Sequence, residues 1–347
     1  VPFINDVLEE NRQRDEAAKA LTSERRKTRF LFDPAAVLGI LAQRIIGQPE
    51  MHAAVGDMLH VVKADFRDTG RPLAVFLFLG STGVGKTETV WVLTEALLGS
   101  AEKLCRIDMN TLAQEHYAAA ITGAPPGYVG SKEEHTLFDF DKVAGGYGRP
   151  GIVLFDEVEK ASQTVARALL NVLDAGVLDL SSGTRKVSFQ NCMIFMTSNE
   201  GARELEQYRH RFSKGWRKWL GRVPNKEQGN EILRAALRRK FDPEFLNRID
   251  KLVFFEELGV GWTEKLLEVE LNKLNHRLSK HGVELMVSES AREFLIECYD
   301  KRYGARDLAR RVREFLEPPL ARAVLGNAGC ARLMADVSDG RIVISEG

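Results

Sequence analysis

The sequence predicts an α/β fold: a mainly parallel sheet between helices, followed by a smaller, mainly helical α+β unit. Three observations carry this. A compact apolar strand, Ala74 to Leu79, ends at Gly80 and feeds a glycine-rich loop and then a helical stretch, the order a phosphate site requires. Further short apolar runs, Leu104 to Ile107, Gly151 to Phe155 and Cys192 to Thr197, alternate with helical stretches, as strands buried on both faces do. After Asp250 the pattern changes to an apolar repeat with helical spacing.

Residues 1 to 30 are rich in Glu, Arg, Lys, Gln and Ala and carry no Gly or Pro after Pro2. That predicts a solvated terminal helix; the other reading is part of a coiled or adaptor-binding region. Pro34 opens an apolar segment, and Ile45 to Pro49 reads as a turn before a helix reaching about Phe66. A helix is predicted from Lys86 to about Leu98. In the second unit, Leu266, Val269, Leu271, Leu274 and Leu278 mark a helix and Val283 to Val287 a strand. Ser288 to Tyr299 and Ala305 to Leu325 read as helical, with Pro318 and Pro319 bending or dividing the latter, and Arg341 to Ile344 as a final strand. The expected division is an N-terminal extension over 1–35, a large domain over 36–258 and a small domain over 259–347.

The composition, 347 residues with 44% apolar and 28% charged, excludes a disordered chain or a small disulfide-held module. Lys plus Arg and Asp plus Glu balance at 49 each, so no global positive field draws the chain to nucleic acid or an acidic membrane. Cys105, Cys192, Cys298 and Cys330 form no C-x-x-C pair and read as buried residues or free thiols in a reducing compartment. No apolar run approaches the roughly 20 residues needed to span a bilayer. A cytoplasmic location is the expectation.

Gly80-Ser81-Thr82-Gly83-Val84-Gly85-Lys86-Thr87 fits G-x-x-x-x-G-K-[ST] completely. Its glycines let backbone N–H groups turn inward around phosphate oxygens, and the helix that follows adds its positive end. Lys86 is placed to reach the terminal phosphates of ATP and the Thr87 hydroxyl to ligate Mg2+. The acidic half of such a site belongs at the end of a neighbouring strand, and Ile152 to Phe155 supplies it with Asp156 and Glu157. Asp156 can hold magnesium through water, and Glu157 can polarise the attacking water. Asn199, at the polar end of the Cys192 strand, can orient that water.

In these motifs the chain resembles the second ATPase module of the Clp family of AAA+ protein unfoldases and disaggregases, from about residue 40 to the C-terminus. The resemblance implies a P-loop AAA+ large domain and a helical lid domain, with Arg44 to Gln48 bordering the adenine so that Ile45 and Ile46 touch the nucleotide. Gly123 to Gly130 is similar to the family's axial pore loop, and Tyr128 then grips substrate polypeptide. Phe241 to Asp250 resembles the arginine-finger segment, in which Arg248 serves the neighbouring subunit. Gly304 to Leu308 resembles the motif whose arginine, here Arg306, senses the terminal phosphate. The implied protein is a Mg-dependent ATPase in a homo-oligomeric, hexameric ring, threading polypeptide substrates, with an adaptor as a further partner class.

Some features depart from the family. Gly130 is followed by Ser131-Lys132-Glu133-Glu134-His135, and a longer connection includes Gly145 to Pro150. A second pore-facing region falls near 176–186, where the sequence is generically polar. Between Asn199 and Phe241 no Ile-Gly-Leu or Ile-Gly-Phe tripeptide occurs, so docking to a barrel protease is not expected. That stretch instead holds Tyr208 to Phe212 and Trp216 to Trp219, basic residues beside aromatics, read as a solvated loop in preference to a nucleic-acid or lipid contact. Two alternatives to an unfoldase stand: a DNA-associated AAA+ motor or loader, and a nucleotide-controlled scaffold with little turnover. The chain is expected to be either a one-ring protein or an excised module.

Overall fold

The computed structural model of the chain describes residues 28–66, 70–113, 138–179, 186–213, 225–297, 299–300, 304–326 and 331–346. The expected terminal helix over 1–27, the pore loop with Tyr128, and Trp216 to Trp219 lie outside these residues, as does most of the polar stretch after Gly176. In chain order come α1 (Pro34–Arg44), α2 (Pro49–Lys63), β1 (Ala74–Leu79), α3 (Lys86–Leu98), β2 (Cys105–Asp108), α4 (Phe140–Ala144), β3 (Gly151–Asp156) and α5 (Gln163–Ala175). There follow β4 (Val177–Asp179), β5 (Lys186–Ser188), β6 (Cys192–Ser198), α6 (Ala202–Ser213), α7 (Lys226–Lys240), α8 (Pro243–Asn247) and β7 (Lys251–Phe254).

The central sheet has the order β2-β3-β6-β1-β7, and every pairing in it is parallel. β1, β3 and β6 are buried along their whole length, so alternate residues feed two cores. On one face Leu77, Phe155 and Met196 meet Leu169 and Leu173 of α5 and Leu233 of α7. On the other, Phe76, Phe78 and Phe195 meet Leu41 of α1, Leu59 of α2 and Leu93 of α3, with the Phe76 and Phe195 rings edge to face at 6.1 Å. The strand order puts β1 between β6 and β7, so the chain crosses over at the carboxyl end of β1. Ligands bind at such a switch point in open α/β sheets.

The remaining elements are α9 (Thr263–Leu278), β8 (Glu284–Val287), α10 (Glu289–Glu297), α11 (Ala305–Arg311), a π-turn at Val312–Leu316, α12 (Glu317–Gly326), β9 (Arg332–Ser338) and β10 (Arg341–Glu346). Leu267, Leu271 and Leu274 of α9 pack with Leu295, Leu316 and Leu333 in a third core, under a sheet of order β10-β9-β8.

Three details are added here. The irregularity in the run from Ala305 to Leu325 is a π-turn just before Pro318 and Pro319; a proline has no N–H and its ring crowds the carbonyl four residues back, which here belongs to Glu314 and Phe315 of that turn. The small sheet has a third strand, β9, whose Ala335 and Ser338 dilute the apolar signal. The large sheet gains an edge strand, β7, whose first two residues are only partly covered. Among the described residues no helix is long and apolar enough to cross a membrane.

Candidate nucleotide site

At the carboxyl ends of β1, β3 and β6 lies a cleft of about 600 Å³, roofed by the second unit, within the size range of small-molecule sites. Thr82 to Thr87 line its floor, Ile45 and Ile46 one wall, and Leu266, Val269, Ala305, Arg306 and Ala309 the roof. Gly80 and Ser81 stand behind the loop: their carbonyls accept hydrogen bonds from Lys86 Nζ at 2.6 and 2.8 Å. Gly80, Gly83 and Gly85 all have positive φ, which is what lets the loop curl.

The segment before α2 is fixed by Gln48, which is buried and bridges two chain segments. Its Nε2 donates to the carbonyls of Val84 at 3.3 Å and Glu256 at 2.9 Å, and its Oε1 accepts from Glu256 N. The roof is fixed by a backbone contact: Ala305 N donates to Gly83 O at 3.2 Å. Gly304 makes this approach possible, since it has φ 53° and a Cβ there would stand 2.4 Å from Gly83 O. Farther out, Lys273 of α9 reaches Glu88 of α3 at 2.9 Å.

Asp156 is 6% exposed and fully engaged. Its Oδ1 accepts from Thr87 Oγ1 at 3.0 Å and Thr197 Oγ1 at 2.5 Å, and its Oδ2 from Arg106 Nε and Nη2 at 3.0 and 2.7 Å. Glu157 follows in left-handed backbone, φ 59° and ψ 52°, a conformation that costs a non-glycine residue on the order of 1 kcal/mol or more and persists only where neighbours enforce it. Its N–H donates to Thr197 Oγ1 at 2.9 Å. Its Oε2 accepts from Asn110 Nδ2 at 2.7 Å and its Oε1 from Asn199 Nδ2 at 3.4 Å. The Asn199 Oδ1 accepts from Lys86 Nζ at 2.8 Å.

Thr87 and Asp156 present hard oxygen donors on one side of the cleft, the chemistry Mg2+ selects. Among the described residues no group of three His, Cys, Asp or Glu forms an all-protein metal cage.

Burial pushes the Lys86 ammonium down from 10.5 to about 8; Glu159 pulls it up, Arg306 lowers it further, and Asp156 and Glu157 raise it. The unfolded chain keeps this proton up to its ordinary value, so the nucleotide-free fold gains stability from this group as pH rises from about 8 toward 10.5. Bound phosphate favours the ammonium and raises its pKa. ATP binding at pH 8.5 is therefore expected to take up a proton, and affinity to fall as pH rises above that. Calorimetry in buffers of different ionisation enthalpy measures the uptake, and heats independent of buffer would contradict this reading of Lys86.

The predicted residues Ile45, Ile46, Thr82, Gly83, Val84, Gly85, Lys86, Thr87, Asp156, Glu157, Asn199 and Arg306 thus share one cleft. Arg248 does not line it: its Nη1 pairs with Asp174 Oδ1 at 3.1 Å. Sequence reasoning missed Arg106, Asp108 and Asn110, which line the cleft from β2 and the turn after it. The parallel register sets Asp108 beside Asp156, and only knowledge of that pairing could have singled them out.

Comparison with known proteins extends over the same two units. The family model described as AAA domain (Cdc48 subfamily) matches residues 71–252, and that for the C-terminal, D2-small domain of ClpB protein matches 261–330. The chain is 44% identical to an ATP-dependent protease ATP-binding subunit-like protein, AmiB, of Pseudomonas aeruginosa, across 99% of both chains. It is 38% identical to the chaperone protein ClpB of Nitratidesulfovibrio vulgaris, across 88% of this chain but 33% of ClpB. A cryo-EM structure of Hsp104 in its closed state, with ATPγS and FITC casein, superposes with a TM-score of 0.75 at 26% identity, covering 90% of this chain and 51% of that one. With the phosphate loop, the paired carboxylates and the roofing small unit in one cleft, and with matches of this extent, the chain belongs to the Clp/ClpB branch of the AAA+ ATPase family.

Proposed function

We propose that this protein is a magnesium-dependent ATPase that works as a ring, hexameric by resemblance, and uses hydrolysis to unfold or remodel polypeptides drawn through the ring's pore. The observation that carries the reading is the convergence of Lys86, Thr87, Asp156, Glu157, Asn199 and Arg306 on a cleft between two separately packed units. Lys86 and Arg306 neutralise charge on the terminal phosphate, Glu157 takes the proton of the attacking water, and Asn199 orients that water. Water adds to the phosphorus as the bond to ADP breaks, giving ADP and phosphate. Thr87 and Asp156 would hold Mg2+, which would supply positive charge against that of the phosphates. Ile45 and Ile46 would flank the base.

Because Ala305 and Lys273 tie the small unit to the phosphate loop and to α3, loss of the terminal phosphate has a direct route to rotate residues 259–347 against 36–258. Tyr128 would convert that rotation into movement of substrate, and Arg248, which does not line its own cleft, would serve the next subunit. The relatives support this direction: ClpB is named a chaperone, and Hsp104 was solved with casein. The absence of an Ile-Gly-Leu or Ile-Gly-Phe tripeptide in the sequence argues for work without a barrel protease.

The test is ATPase rate per subunit across protein concentration, with light scattering for mass, alongside unfolding of a stable tagged protein. Tyr128→Ala is expected to keep ATPase activity within about twofold while unfolding is lost, since the resemblance assigns Tyr128 to substrate and not to nucleotide. Normal unfolding by that variant would refute the pore role. Binding of ATP without turnover at any concentration would favour a scaffold, and ATP-dependent retention on DNA a DNA motor.

A further inference from the structure

Glu159 is a buried carboxylate that the hydrolytic reading does not use. It lies in the turn after β3, three residues beyond Asp156, and is 6% exposed. Its Oε1 accepts the backbone N–H of Asn199 at 3.1 Å. Its Oε2 is buried with no hydrogen-bond partner among the described residues. Burying a carboxylate with one oxygen unsatisfied is costly, so the position calls for a physical account.

The account lies in what Asn199 touches. Its side chain takes Lys86 Nζ on one end and gives a hydrogen bond to Glu157 Oε1 on the other. A shift of its backbone would therefore move both contacts at once. Of the links that join the ends of β3 and β6, two use backbone N–H donors: Glu157 N–H to Thr197 Oγ1, and Asn199 N–H to Glu159 Oε1. They hold the turn that carries Glu157 in its left-handed backbone, a conformation that needs such constraints. A charged acceptor makes the second link stronger than a neutral one would.

We infer that Glu159 is a positioning residue for hydrolysis: it clamps the backbone of Asn199 and so sets the Asn199 side chain between Lys86 and the Glu157 carboxylate. The inference rests on the ATPase reading above and deepens it. Glu159 does not line the nucleotide cleft; its charge also raises the Lys86 pKa, an effect that Glu159→Ala and Glu159→Gln lose alike, so the difference between those two variants reads the clamp alone.

The experiment measures kcat, KM and ATP affinity for the assembled protein carrying Glu159→Ala, Glu159→Gln, Asn199→Ala, and Glu159→Ala with Asn199→Ala. Glu159→Ala is expected to lower kcat by about 10-fold or more, with KM and ATP affinity within about threefold, the split expected when transition-state contacts alone are disturbed. Glu159→Gln keeps an acceptor for the Asn199 N–H and is expected to restore kcat to within about threefold of wild type. In the Asn199→Ala background, Glu159→Ala is expected to add little, since residues acting through one contact are not additive. Wild-type kcat in Glu159→Ala, full additivity in the double variant, or no rescue by Gln in a folded, assembled protein would each overturn the inference. A wild-type protein that binds no ATP would instead overturn the ATPase reading itself.

Discussion

Glu157→Gln is expected to leave ATP affinity within about threefold of wild type and to lower turnover by about 10²- to 10⁴-fold, the range for removing a general base. The two carboxylates divide the labour. Asp156 is enclosed by Thr87, Thr197 and Arg106, so it is a fixed charge. Among the described residues Glu157 has only the amides of Asn110 and Asn199 on its oxygens, and these weaker partners can be exchanged for a water. Gln keeps the size and the backbone of residue 157 while losing basicity, so the variant should trap bound ATP. Filter binding with labelled ATP beside a phosphate-release assay separates the two effects. Turnover within tenfold of wild type would assign the base elsewhere.

What the sequence shows locally, the fold keeps. β1, the glycine loop and α3 are contiguous, so their chemistry is legible in a single stretch from Ala74 to Leu98. The apolar run ending in Asp156 and Glu157 is legible for the same reason. What is not legible depends on pairing between strands distant in the chain. Arg106 becomes the partner of Asp156 because β2 lies parallel beside β3, and Asn110 meets Glu157 through the turn that follows. Glu159 gains its contact because β6 closes on the other side of β3. Lys251 to Phe254 was missed as a strand because an edge position leaves Lys251 exposed and Leu252 half-covered, so the run lacks a continuous apolar signal.

Arg248 does not line its own cleft, so a part for it in hydrolysis, as proposed, would be played on another subunit. Its ion pair with Asp174 joins two partly exposed groups, with side chains 36% and 48% exposed. Such pairs contribute about 0–1 kcal/mol, so Asp174 holds the guanidinium in place without a large cost for its release. An arginine supplied in trans to a transferring phosphoryl group is worth about 10³- to 10⁵-fold in kcat. Arg248→Ala is therefore expected to lower turnover by about 10³-fold while ATP still binds and the protein still assembles. The decisive measurement mixes this variant with Glu157→Gln. The first has a competent cleft and no finger to give; the second has a finger and an inert cleft. In a head-to-tail ring each cleft faces one neighbour. A random equal mixture should then recover on the order of a quarter of wild-type activity, since half the clefts are competent and half of those meet an intact arginine. Recovery requires subunit exchange, which prior dilution and remixing without nucleotide provides. If the exchanged mixture stays as inactive as its components, Arg248 does not act across the interface, and the loss in the single variant comes from its own subunit.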